Sequence, residues 1–297
     1  MSVALLLLPD FALIFLGALL KRYARFEIAF WSGLERMVYF VLFPALLFNT
    51  TASARFDFSA TTGLLTASLA ALAVGIALGF LARPLFAPDP VLFASGVQCA
   101  FRFNSYIGLA LAGRLAGNEG IALMAILIGI GVPIANAAAV YALARHQNAR
   151  VAAEMMRNPL IVATVGGLAC NLAGIVLPDF LAATLTRLGS ASIALGLIAV
   201  GAGLQLKGAI AERPTLAWWL AVKLIATPLV AYSIARALEL PPLQRQIAVV
   251  FAALPTASSA YILAVRMGGN GPIVAFLISA GTVLSVVTLP GWALLAR

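Results

Sequence analysis

The sequence predicts an all-α membrane protein that crosses the bilayer many times. Of its 297 residues, 63% are hydrophobic and only 10% are charged, whereas a soluble domain of ordinary composition has about 25% charged residues. The mean hydropathy is +1.05, and long apolar stretches recur from one end of the chain to the other. A soluble domain carrying one membrane anchor does not fit this pattern.

Ten apolar segments are long enough to span a bilayer, for which a helix needs roughly 20 residues. The first, from Val3, lacks a basic segment before it and is followed by Lys21 and Arg22, which favours a retained span over a cleaved signal peptide. The predicted spans are 3–20, 34–52, 62–82, 91–112, 118–143, 158–177, 188–206, 214–235, 244–265 and 271–295.

Basic residues in the loops predict the orientation of these spans. If the N-terminus is outside, the inside loops contain most of the loop Lys and Arg residues, as the positive-inside rule requires. The sequence therefore predicts an integral membrane protein with both termini extracytoplasmic, and we expect a bacterial inner membrane.

Several other functional classes find no support in the sequence. The net charge of +9 comes from basic residues scattered between apolar spans, without a nucleic-acid-binding motif. Cys99 and Cys170 lie inside apolar stretches and are interpreted as packing residues, not as disulfide partners or metal ligands. We find no catalytic constellation, nucleotide-binding loop or metal cluster, so we predict no enzyme activity and no cofactor.

The two halves of the chain resemble each other. The segment AGNEGIALMAILIGIGVPIANAAAVYALAR (116–145) aligns without gaps with GGNGPIVAFLISAGTVLSVVTLPGWALLAR (268–297), matching Asn118 with Asn270 and Gly129 with Gly281. A repeat unit with five spans must be inverted relative to its copy, which is typical of transporters. We predict a first unit at 1–145, a cytoplasmic linker at 146–157 and a second unit at 158–297.

Polar residues interrupt span four and span nine at matching positions. Span four contains FRFNSYIGLAL (101–111), with an arginine in mid-span, and the same alignment places it over ALPTASSAYILA (253–264). Pro255 removes a backbone donor and favours a break in span nine. Irregular backbone at membrane depth must be buried or line a cavity, so these segments predict a substrate site.

At these residues the chain resembles the auxin efflux carrier family, which includes the plant PIN exporters and bacterial organic-anion carriers. The resemblance rests on FRFNSYIGLAL, ALPTASSAYILA, LERMVYFVLFPALLFNTTA in span two and WWLAVKLIATPLVAY in span eight. It covers essentially the whole chain.

The resemblance implies a fold related to bile-acid symporters and sodium/proton antiporters. In that fold, broken helices four and nine cross, spans 1, 2, 6 and 7 form a scaffold, and spans 3–5 and 8–10 form a moving transport domain. It also implies a homodimer and a carboxylate substrate, either auxin-like or resembling malate or malonate. This chain has Phe103 where the family has a proline in span four, and the long cytoplasmic loop of many plant members is missing.

Candidate substrate-binding residues cluster at the crossing. Arg102 has the planar fork that suits a carboxylate, although a structural arginine that caps helix carbonyls is the alternative. Other polar residues at the same depth offer hydrogen-bond donors and acceptors to a substrate. The alternative is that these small polar residues form hydrogen bonds between packed helices. The other candidates there are Asn104, Ser105, Tyr106, Pro255, Thr256 and Ser258.

Three further polar residues lie within spans. Lys223 is interpreted as a partner of the anion, as a carrier of a coupled proton, or as one side of a salt bridge. Asp10 and Asn136 are candidates for coupling to H⁺ or Na⁺. Asp10 could instead be a counter-ion of Arg102 or Lys223, or have a structural role beside Pro9.

Together these features predict a secondary transporter that moves a small organic anion by alternating access. The alternatives are a sodium/proton antiporter, for which Asp10 is the fitting acid, and a membrane sensor that transports nothing.

Overall fold

The computed structural model describes residues 3–24, 26–53, 58–146, 159–203 and 212–297. This part of the chain is helical throughout and contains no β-strand. From residue 147 onward, the predicted cytoplasmic linker lies outside the described residues.

The described residues of the first half form six α-helices, two of which are extended by short turns of a different helical type. Its elements are α1 (Val3–Tyr23), α2 (Ile28–Met37), a π-helical turn (Val38–Leu42), α3 (Phe43–Ala52), α4 (Phe58–Phe86), α5 (Pro90–Gly96), a 3-10 turn (Val97–Ala100) and α6 (Ser105–His146).

The second half consists of seven α-helices and a second π-helical turn among its described residues. Its elements are α7 (Pro159–Leu172), α8 (Asp179–Gly203), α9 (Arg213–Ala221), a π-helical turn (Val222–Ala226), α10 (Thr227–Ala237), α11 (Pro242–Ala253), α12 (Ser259–Arg266) and α13 (Gly271–Leu295).

Six continuous helical stretches in the described part of the chain are long and apolar enough to cross a membrane. They correspond to predicted spans two, three, five, seven, eight and ten. The start of span seven differs from the prediction, because α8 begins at Asp179 and carries Arg187 on an exposed face. The long apolar stretches are Ala29–Asn49, Thr61–Phe86, Ile126–Arg145, Asp179–Ala199, Arg213–Ala237 and Gly271–Leu295.

Local chemistry explains the irregular points in the long helices. Each π-helical turn is followed by a proline, Pro44 or Pro228, whose missing N–H and bulky ring disturb regular α-helical bonding. Within α6, a sharp bend separates predicted spans four and five. Gly117 has φ of 55° there, a conformation that glycine adopts without steric cost.

The helices pack in two groups. In the first group, α1 packs mainly against α8, and α3 packs against α7 and α8. In the second group, α4 packs against α10 and α11, and α11 also contacts α6 and α13. The indoles of Trp218 and Trp219 on α9 donate to the backbone carbonyls of Leu78 and Gly79 on α4, which ties the second group together.

The contact between Gly96 and Trp219 gives a stability prediction for the second group. A Cβ atom at Gly96 would collide with the Trp219 ring, which is completely buried and already held by its hydrogen bond. Gly96→Ala is expected to lower stability by about 1–3 kcal/mol through overpacking, seen as a lower thermal unfolding midpoint in detergent.

Gly291→Ala is the matched control for this prediction. A Cβ atom at Gly291 in α13 meets nothing within 4 Å, so this change is expected to leave the midpoint unchanged or raise it. An equal fall in both variants would contradict the packing explanation.

Candidate substrate site

Two non-helical segments lie against each other in the middle of the second group. The backbone leaves the helical conformation between Phe101 and Asn104, and again between Leu254 and Ser258. The Asn104 amide donates to the Pro255 carbonyl at 2.8 Å. The Thr256 hydroxyl donates to the Cys99 carbonyl at 3.0 Å, so each segment satisfies backbone groups of the other.

The two interruptions have different chemical causes. In the second one, Pro255 forces the preceding residue towards extended backbone, and Leu254 accordingly has φ of −57° and ψ of 137°. The first one contains no proline. There the Asn104 side chain accepts from the Ile107 amide at 3.3 Å and caps the N-terminus of α6.

Arg102 connects the two segments through its side chain. Its guanidinium donates to the Ser259 hydroxyl at 2.6 Å and to the Gln98 side-chain oxygen at 3.4 Å. The side chain is only 5% exposed. Within the described ranges, no carboxylate forms an ion pair with this guanidinium, so these residues leave its buried charge without a counter-ion.

An open cleft lies beside Arg102, between the crossing segments and α3. Its empty volume, including the mouth, is about 520 Å³. Phe43, Leu46 and Leu47 contribute an apolar wall from α3. The opposite side is formed by Arg102, Phe103, Asn104, Ser105, Val132, Ala135, Asn136, Ala257, Ser258 and Ser259.

Asn136 supplies a hydrogen-bond donor to this cleft. Its side chain is 2% exposed, and its Nδ2 atom has no hydrogen-bond partner among the described residues. A buried amide without a partner is costly, and a bound ligand can remove that cost. Asn136, which the sequence suggested as a coupling residue, therefore lies in the same cleft as Arg102.

Lys223 lies away from this cleft. Its ammonium donates to the Ala252 carbonyl at 2.9 Å, in the last turn of α11, and Thr227 donates to the same oxygen at 3.0 Å. The side chain is 4% exposed. A smaller cavity lies between Lys223 and Phe103, and Phe103 also lines the main cleft. The Phe103 ring therefore separates the two buried cations.

The structure brings some of the predicted residues together and leaves others apart. Arg102, Asn104, Ser105 and Ser258 line the cleft. Pro255 and Thr256 are buried in the crossing but do not line it.

Two candidate side chains cannot be placed. Those of Tyr106 and Asp10 lie outside the described residues, although α6 and α1 include their backbones.

Two polar residues that contact Arg102 were not among the predicted ones. Ser259 and Gln98 hold the Arg102 guanidinium. Ser259 could have been found from its place in the polar run after Pro255, whereas Gln98 has no such signal. Among the described residues, no cluster of His, Cys, Asp and Glu could hold a metal ion.

Comparisons with known proteins agree with a role in transport. A family profile described as "Membrane transport protein" matches residues 143–293, about half of the chain. The chain is also 26% identical to an uncharacterized transporter of Methanothermobacter thermautotrophicus over 303 aligned residues, which cover 98% of this chain and 95% of that protein. The chain therefore belongs to the membrane transport protein family, that of the auxin efflux carriers, and is an integral membrane protein of the transporter class.

Proposed function

We propose that this transporter moves a small organic anion across the membrane by alternating access. The observation that carries the proposal is the buried guanidinium of Arg102 at the cleft, which no described carboxylate neutralises. A buried charge without a counter-ion is unfavourable, and an anionic ligand supplies the missing charge.

The cleft also has donors that suit a carboxylate. Asn136, whose Nδ2 has no partner among the described residues, lines the same space as Arg102. Helices α6 and α12 both begin at the crossing, and the partial positive charge at a helix N-terminus favours an anion. Among the described residues that line the cleft, Arg102 is the sole charged one, and this matches a ligand with one carboxylate at this point.

The remaining lining suits the organic part of the ligand. Phe43, Leu46, Leu47, Phe103 and Val132 give the cleft a largely apolar wall. Binding sites of this kind combine an apolar wall with a few polar groups that fix the orientation of the ligand. A small inorganic anion would leave this wall unused, so an organic carboxylate is the better match.

The position of the cleft supports alternating access. One wall comes from α3 in the first packing group, and the other comes from the crossing segments in the second group. We assign the first group to a scaffold and the second to a transport domain. Movement of one group against the other as rigid bodies would open the cleft to each side of the membrane in turn.

An inverted repeat with ten spans is part of the same proposal. The gapless alignment of the two halves places Phe103 opposite Pro255 and Asn104 opposite Thr256. In the structure, the Asn104 amide bonds to Pro255, and Thr256 bonds to Cys99 across the crossing. Neither contact joins exactly corresponding positions, but both bring span four against span nine, which supports a crossing of the two spans.

For Lys223 we propose a role in holding the crossing in place, through its hydrogen bond to the Ala252 carbonyl. The ammonium lies at the C-terminal end of α11, where a cation is favourable for the helix dipole. Phe103 stands between it and the cleft. Lys223 thus stabilises the crossing and does not contact the substrate.

Replacement of Arg102 tests the substrate assignment. Arg102→Gln is expected to weaken carboxylate binding by roughly 10- to 100-fold, because a charge-assisted hydrogen bond is lost. Calorimetric titration of the purified protein with malonate, malate and indole-3-acetate measures the effect, and flux in proteoliposomes checks transport of the ligand that binds.

Two further variants control this experiment. Arg187→Gln removes an exposed arginine of α8 that does not line the cleft, and it is expected to bind normally. Arg102→Lys keeps the positive charge but lacks the planar pair of N–H donors of a guanidinium. Its carboxylate affinity is expected to lie between that of the original protein and that of Arg102→Gln. Unchanged affinity in a folded Arg102→Gln protein would rule out the site.

Replacement of Lys223 separates its role from that of Arg102. Lys223→Met is expected to keep carboxylate affinity within about twofold of the original, because Thr227 still donates to the Ala252 carbonyl. Adding Thr227→Val leaves that carbonyl without either donor, and stability is expected to fall by about 1–3 kcal/mol. The same titrations and thermal unfolding measure both effects. A tenfold loss of affinity in Lys223→Met alone would show that Lys223 reaches the substrate.

A further inference from the structure

A second cleft, which shares no lining residue with the first, lies where α4 ends, α5 begins and α6 ends. Its empty volume, including the mouth, is about 830 Å³. Arg83 and Arg145 provide its charge. The aromatic residues Phe80, Phe93 and Tyr141 line it together with Pro88, Pro90, Ala94 and Ala142.

Both arginines are held by aromatic rings. The Arg83 guanidinium lies 5.9 Å from the centre of the Phe93 ring, and that of Arg145 lies 5.9 Å from the centre of the Tyr141 ring. Arg145 also donates to the Tyr141 hydroxyl at 2.8 Å. These contacts hold the arginine side chains at the cleft and leave most of their N–H donors available.

The described part of the chain provides no carboxylate partner for either arginine. The acidic residue nearest to Arg83 in the sequence is Asp89. Its carboxylate accepts from the amides of Val91 and Leu92, both at 2.9 Å, and caps α5. The cleft thus carries two positive charges at its mouth, which favours an anionic ligand.

The depth of the cleft matches the headgroup layer of a bilayer. The apolar stretch Thr61–Phe86 has 26 residues, which at about 1.5 Å per residue gives a length of about 39 Å, more than the roughly 30 Å of hydrocarbon. Arg83 is in its last turn, and Arg145 ends the stretch Ile126–Arg145. Both therefore lie at the level of lipid phosphates.

An exposed apolar strip leads from the arginines towards the bilayer centre. Ile134, Ala138, Tyr141 and Arg145 share one face of α6, because they follow each other at intervals of three or four residues. Ile134 is 40% exposed and Tyr141 is 38% exposed. A soluble phosphate has no apolar part that could contact this strip, whereas a lipid acyl chain can lie along it.

We propose that this second cleft binds the headgroup phosphate of an anionic glycerophospholipid. The two guanidinium groups bind the phosphate oxygens, and an acyl chain covers Ile134 and Ala138. Phosphatidylglycerol is favoured over phosphatidylcholine, because two arginines repel the quaternary ammonium of a zwitterionic headgroup.

Native mass spectrometry of the full chain in detergent tests this proposal, with phosphatidylglycerol or phosphatidylcholine added in increasing amounts. Each basic residue near an anionic headgroup contributes about fivefold to binding. The double variant Arg83→Gln/Arg145→Gln is therefore expected to bind phosphatidylglycerol roughly 30-fold more weakly, with phosphatidylcholine binding unchanged. If the double variant does not fold, each single variant is expected to show a loss of about fivefold.

Arg236→Gln is the matched control, since Arg236 is exposed in the last turn of α10 and does not line the cleft. It is expected to bind phosphatidylglycerol normally. Unchanged binding in the Arg83 and Arg145 variants, or an equal loss in Arg236→Gln, would overturn the proposal. So would displacement of the lipid by millimolar inorganic phosphate, which would identify a site for free phosphate.

Discussion

The structure depends on satisfying the polar backbone of two non-helical segments inside an apolar bundle. An unpaired amide or carbonyl at that depth costs several kcal/mol, because no water or lipid group replaces its partner. The pairs Asn104–Pro255 and Thr256–Cys99 meet this requirement across the crossing, and Lys223 meets it at the end of α11. The surrounding helices must therefore hold these few bonds in place.

The sequence was sufficient to predict the helical membrane class and the two polar segments, because both depend on local composition. Pro255 marked one interruption directly. The other interruption depends on Asn104, which caps the following helix. Asn104 is one of several polar residues in that segment, so the sequence does not mark it as clearly as a proline. The helix of predicted span seven begins earlier than the predicted span, at Asp179, because Arg187 was treated as a loop residue, whereas α8 carries this arginine on an exposed face.

The relative positions of the buried polar residues depend on contacts between residues that are distant in the sequence, so the sequence alone did not predict them. Arg102 and Lys223 both looked like partners for an anion, since each is a cation within an apolar span. Only the structure shows that Phe103 separates them and that Lys223 faces a carbonyl of α11. Asn136 is far from the crossing in sequence, so its place in the cleft lining depends on how α6 packs against the crossing. Side-chain type thus identified the candidates, and tertiary packing determined which of them lie in the same cleft.

The contacts within and between the two packing groups differ in kind. Within the second group, the buried Trp219 ring fills the space at Gly96, and Lys223 and Thr227 share one buried carbonyl. Between α12 and the segment formed by α2 and its π-helical turn, Tyr261 donates to Glu35 at 3.3 Å, and Arg266 lies 4.8 Å from the Phe40 ring centre. Such long polar and cation–π contacts are weak and can be exchanged without leaving a cavity, whereas separating Trp219 from Gly96 would leave one. Under the proposed alternating access, contacts of this kind are the ones that a movement would exchange, and the cleft of Arg102 lies between α3 and the crossing segments.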